Sequence, residues 1–131
     1  MTSPGPRGWQ GQPNSLVRTH RVPAYSDVLI QCTFLNSSKV PTEPTSISWR
    51  MDSLTSVQNV QASTSVVPTG SQQVIQVPAA IMIPTRSWYG TEMMQVWIQA
   101  VITDTNAPSG SITVNKIVAL EMVMESIPPG S

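Results

Sequence analysis

From Tyr25 onward, apolar and polar residues recur with a period of two, and no segment of ten or more residues carries clean helical spacing. Twelve prolines punctuate the chain; each fixes φ and removes a backbone donor, which leaves little room for helices. A period of two puts alternate side chains on opposite faces of a strand. Residues 25–35 place Val28, Ile30, Cys32 and Phe34 on one face, with Asp27, Gln31 and Thr33 opposite. Residues 46–52 alternate more cleanly, with Ile47, Trp49 and Met51 inward and Ser46, Ser48, Arg50 and Asp52 outward. Two longer segments follow. Residues 91–104 carry the row Met94, Val96, Ile98, Ala100 and Ile102, and residues 111–124 carry Ile112, Val114, Val118, Leu120 and Met122. Shorter candidates lie at 15–22, 56–62 and 72–83. Turn signals separate them, and Asn106-Ala107-Pro108-Ser109-Gly110 reads as a hairpin between the two longest strands.

Short strands between turns predict an all-β fold in which two sheets press their apolar faces together. The expectation is an immunoglobulin-like antiparallel β-sandwich of about seven strands over 15–127. A flexible Gly/Pro-rich N-terminal arm at 1–14 precedes it, and a C-terminal tail at 128–131 follows. Trp49 is placed like the core tryptophan of such domains, and Cys32 falls near their first cysteine. A single cysteine excludes an internal disulfide, so Cys32 is expected as a buried, small apolar residue.

With 131 residues and 40% hydrophobic content, the chain can build one core. Charged residues make up 11%, against roughly 25% in an average soluble protein. The formal net charge is zero, which gives little long-range pull on nucleic acid or anionic lipid. No apolar run approaches the ~20 residues of a membrane span, and the N-terminus has no apolar signal core. Synthesis in a reducing cytosol is expected, with neither nucleic acid nor membrane as partner. A neutral skin rich in Ser, Thr and Gln suits a protein docked in an assembly.

Chemistry is not expected. The only histidine, His20, has no glycine-flanked serine elbow to work with. The carboxylates Asp27, Glu43, Asp52, Glu92, Asp104, Glu121 and Glu125 are scattered, without the spacing of a metal loop. One His and one Cys cannot make a zinc site, and no phosphate-cradling glycine loop is present. The chain is expected to be no enzyme, with no cofactor, metal or small-molecule substrate.

The apolar surplus is more informative. Met93, Trp97 and Val101 stand opposite the inward row of their own segment, where a monomeric sandwich is polar. Either a bulge or a covering segment hides them, or they form an exposed stripe for a protein partner. Trp88 and Tyr89, beside Gly90 in a connection, join the same contact or plug one end of the core. On the arm, Trp9 with Arg7 nearby either packs back on its own domain or inserts into a neighbouring subunit.

The string Trp49-Arg50-Met51-Asp52-Ser53-Leu54-Thr55, with the Ser/Thr-rich stretch, short strand and Pro-Ala turn after it, resembles small immunoglobulin- or fibronectin-III-like virion proteins of tailed bacteriophages. The paired segments around 94–104 and 112–124 fit the closing hairpin of that class. The resemblance covers roughly 25–124 and implies a virion structural protein, made in the host cytoplasm. It further implies a capsid cement or decoration protein, bound to the major capsid protein as a homo-oligomer, a dimer or trimer, and latched by its arm. The alternative it leaves open is a tail, connector or host-adhesion component.

Overall fold

The computed structural model describes residues 19–85 and 90–124. The arm 1–14 with Arg7 and Trp9, residues 15–18, the Trp88-Tyr89 pair and the tail 128–131 lie outside the described residues. Seven strands are described: β1 Thr19–Pro23, β2 Val28–Thr33, β3 Ser46–Ser53, β4 Gln58–Val66, β5 Gln72–Val77, β6 Gly90–Thr103 and β7 Ser111–Met124. Among the described residues there is no α-helix, only the 3-10 turn Ala79–Ile81. That turn cuts short the 72–83 candidate. Pro78 has no N–H for a ladder, and the Asp27 carboxylate accepts from Ala79 N at 2.7 Å to hold the turn's first residue.

The strands form two sheets, β1-β7-β6-β3-β4 and β2-β5. All pairs are antiparallel except β1 with β7, where Thr19 faces Ala119 and Pro23 faces Val123 in parallel. Parallel neighbours need a long connection, and here the whole domain separates the two. The sheets stack their apolar rows as the alternation predicts. From the larger sheet, Met51, Met94, Val96 and Ile98 are at most 1% exposed; Cys32, Ile75 and Val77 meet them from the smaller one at the same level. Trp49 is 6% exposed in the same core. Cys32 is a free, buried thiol, raised above its ordinary pKa by burial, with the Lys116 ammonium acting in the opposite direction. It is the inert apolar filler its position suggested.

The β6-β7 hairpin keeps one register from Gly90↔Met124 to Thr103↔Ser111. Its connection folds back through Asp104 N to Gly110 O at 2.9 Å and Gly110 N to Ala107 O at 2.9 Å. Gly110 has φ +83°, a left-handed value that a side chain would strain even though open space surrounds it. Irregularity falls instead between β3 and β4, where the register shifts on either side of Met51. Val60, Ala62 and Ser63 of β4 thereby lack partners in β3. Gln61 Nε2 donates to Ala62 O at 3.2 Å, and Thr64 Oγ1 donates to the same carbonyl at 3.0 Å. Asn59 Nδ2 caps Gln61 O at 3.0 Å. The uncharged edge strand thus satisfies carbonyls from its own side chains, which blunts it as a template for strand addition.

Candidate functional site

Odd-numbered residues of β6 point away from the core, on the outer face of the five-stranded sheet. Met93, Trp97 and Val101 are all there and all half-buried. No bulge removes them, because the pairing with β7 is continuous. They are shielded in part by their neighbours. In register, Arg50 of β3, Trp97 of β6 and Ile117 of β7 form one row across three strands. The Arg50 guanidinium lies 5.3 Å from the centre of the Trp97 ring, within the range of a cation–π contact. Trp97 Nε1 donates to Gln95 Oε1 at 3.0 Å, which fixes the indole against its own strand.

The flanking rows are polar but neutral. Arg50 Nε lies 3.5 Å from Asp52 Oδ2, and Arg21 Nε lies 3.4 Å from Glu121 Oε1, so the cations and anions of this face answer one another. Gln99 Nε2 donates to Asn115 Oδ1 at 3.3 Å on the next row. Beside Trp97, a shallow recess of about 210 Å³ is bounded by Ser48, Arg50, Ser63 and Asn115. The result is a surface centred on a tryptophan and an arginine, rimmed by amides and hydroxyls, on which the charged side chains among the described residues are paired.

Ile117 and Arg50 were not singled out from the sequence. Registering the 91–104 and 111–124 segments about the 104–110 turn would have found Ile117, because it then falls opposite Trp97. Arg50 follows from the outward parity of β3 once β3 is set beside β6, and that adjacency is not written locally in the chain. Trp88 and Tyr89 lie outside the described residues, as do Trp9 and Arg7, so the structure brings together only the Met93, Trp97 and Val101 part of the expected contact.

No protein-family model matches this chain. Comparison with curated proteins likewise finds no match.

Two carboxyl groups dismissed as scattered turn out to be buried, one at each end of β6. Glu92, 1% exposed, accepts from Ser53 Oγ and Thr85 Oγ1, each at 2.5 Å, and from Thr85 N at 2.9 Å. Asp104, 3% exposed, accepts from Ser37 N at 2.8 Å and Asn106 N at 2.9 Å. Both continue the even-numbered inward row that runs through Met94 and Ile102, and that parity was the available signal. They bind loops, and among the described residues no group of three or more His, Cys, Asp or Glu side chains is arranged to hold a metal ion. Nor is any helix among these residues long and apolar enough to cross a membrane.

The hydrogen bonds to Asp104 are expected to give the fold a pH dependence. Hydrogen bonds from the Ser37 side chain and backbone, then from the Asn106 backbone, hold its carboxyl below the ordinary value. A carboxyl with a depressed folded-state pKa contributes stability that is complete above its unfolded value of about 3.9 and is lost as pH falls through the folded value. Urea midpoints measured from about pH 5 down to about pH 2 are expected to fall more steeply for the native chain than for Asp104→Asn. Equal slopes would exclude this carboxyl as a contributor.

Proposed function

We propose that this protein is a non-enzymatic structural component of a tailed-bacteriophage particle, which binds and stabilises the capsid shell through the outer face of its five-stranded sheet. The observation that supports this reading is the row Arg50-Trp97-Ile117, an aromatic and guanidinium centre on a neutral, polar-rimmed face. Trp and Arg are the residues that most often dominate protein–protein contacts, when a rim of weaker contacts excludes water around them. A neutral face suits a neutral chain bound in many copies, where each interface is modest, on the order of 1,000 Å², and symmetry multiplies it. The virion setting comes from the resemblance carried by the Trp49-to-Thr55 string and the segments after it.

Cosedimentation of the purified chain with heads assembled from the shell protein of the same phage tests the proposal. Trp97→Ser is expected to weaken binding by at least about 30-fold, the equivalent of a central contact worth about 2 kcal/mol. Because Trp97 is half-buried on the outer face, its removal should leave the thermal transition within a few degrees of the native chain. A native chain that ignores heads, or a Trp97→Ser variant that binds undiminished, would sink the reading.

The amides and hydroxyls beside Trp97 favour one other reading, a tail or adhesion component that stacks a host saccharide on the indole. Copy number separates the two. Hundreds of copies per virion support decoration, and a dozen or fewer, together with glycan-array binding lost in Trp97→Ser, support adhesion.

A further inference from the structure

The two sheets are unequal, and the inequality leaves the sandwich open along one side. Five strands stand against two, so β2 and β5 do not roof the whole inner face of β7 and β1. The inward row of β7 is buried at Leu120 and Val118 and then breaks at the exposed Lys116. On β1 the inward positions are His20 and Val22, set beside Leu120 and Met122 by the parallel register. A cleft of about 520 Å³ runs between these strands and β2, with Val22, Val118 and Leu120 as its apolar floor.

The wall of this cleft is an open strand edge. The β2-β5 register runs unbroken from Val28↔Val77 to Thr33↔Gln72, and just beyond it Phe34 N donates to Ser71 O at 2.9 Å. Even-numbered residues of β2 therefore turn their backbone groups toward β5, and Leu29, Gln31 and Thr33 turn theirs to the free side. Among the described residues no backbone group meets them there. The charge of the cleft is one-sided. Lys116 and His20 line it, no carboxylate among the described residues does, and Lys116 forms no ion pair among them. An occupant must therefore bring a backbone for the edge, apolar side chains for the floor and a negative charge for Lys116. Residues 1–18 hold two arginines and no acid, so the chain's own N-terminal sequence has the wrong sign. A fatty-acid anion has the tail and the charge but nothing to pair with the N–H and C=O groups of the edge.

We propose that the free edge of β2 takes an extended, acidic segment of a partner protein as an added antiparallel strand. The geometry sets its sequence pattern. β2 leaves the turn after Pro23, level with Met122, and runs toward Cys32, whose thiol feels the Lys116 ammonium. A strand antiparallel to β2 thus passes Lys116 first, then Val118, then Leu120. Its inward residues recur at every second position, so the segment that fits reads acid-x-apolar-x-apolar. Backbone pairing supplies the affinity, and the carboxylate opposite Lys116 sets direction and register. The site lies on the inner side of the five-stranded sheet, away from Trp97, and stands whether or not the outer face binds capsid.

Titration of the full chain with the fluorescent peptide Thr-Glu-Thr-Val-Thr-Val-Thr, together with amide-resolved hydrogen exchange, tests it. The peptide is expected to bind with a dissociation constant on the order of 100 µM. The Leu29 and Gln31 amides should exchange freely in the unbound chain and gain protection in the complex. Replacing the peptide's glutamate by lysine is expected to weaken binding by at least about tenfold, and Lys116→Glu, a change at an exposed position, to reverse that preference. Gln31→Pro removes an edge donor that the ladder with β5 does not use, so it is expected to lose the peptide while keeping its melting temperature within a few degrees. Decanoate is expected not to displace the peptide. No binding up to about 1 mM, a charge preference untouched by Lys116→Glu, or displacement by decanoate would each overturn the proposal. So would Leu29 and Gln31 amides already protected in the unbound chain, because another segment of the same chain would then hold the edge.

Discussion

Glu92→Ala is expected to destabilise the fold by about 3 kcal/mol, the largest loss from any single polar side chain among the described residues. The carboxyl accepts three hydrogen bonds at 1% exposure. Its removal leaves the Ser53 and Thr85 hydroxyls and the Thr85 N–H without their acceptor, and an unpaired donor shielded from water forfeits its desolvation free energy. For a domain of this size, 3 kcal/mol corresponds to a fall in melting temperature of about 10 °C. Glu92→Met restores the lost volume without an acceptor and is expected to recover little, whereas Glu92→Gln keeps one carbonyl oxygen and is expected to cost roughly half as much. If Glu92→Met melts like the native chain, the side chain is a filler and its hydrogen bonds contribute nothing. Hydrogen exchange supplies a local readout, since amides of the 53–57 turn should lose protection before those at the middle of β6.

Trp49→Ala is expected to cost more, about 3–5 kcal/mol, out of a typical total of 5–15 kcal/mol. Trp49 lies mid-strand in β3, opposite Ile98 of β6 and Thr64 of β4, and is 6% exposed. Backbone strands meet on both sides, so the site has little freedom to collapse into the vacated volume, and the cavity adds to the lost transfer free energy. Thermal unfolding by circular dichroism and urea titration would read the loss, and the urea slope should be preserved if only the native state has changed. The same deletion is expected to remove the most blue-shifted part of the tryptophan emission. A drop of less than about 1 kcal/mol would place Trp49 outside the tightly packed core.

The fold was largely legible because sandwich formation depends on side-chain parity, and parity is local. Ile47-Trp49-Met51 and Met94 through Ile102 face inward as their alternation requires. The 104–110 turn closes the hairpin it was expected to close. Strand ends were less legible, since they depend on partners. The 56–62 candidate extends to Val66 because β3 offers Ile47 opposite it, and the 72–83 candidate stops at Val77 before Pro78. The candidate surface was half legible. Met93, Trp97 and Val101 announced themselves by breaking the polar expectation of an outer face. Arg50 and Ile117 did not, because an outward arginine and one more apolar residue in a long strand are ordinary until the register sets them on either side of an indole.

The alternation and the prolines by themselves determined that this chain builds strands, which residues line its core, and that Cys32 is filler. Only the tertiary structure decided that Glu92 and Asp104 hold down the loops at the two ends of β6, that β1 runs parallel to β7, and that Val57 is forced into a left-handed backbone at an exposed tip. The physical reason is range. Face assignment follows from neighbours two residues apart, whereas a buried carboxyl's partners and a turn's buttresses come from segments dozens of residues away that meet only once the sheets are stacked.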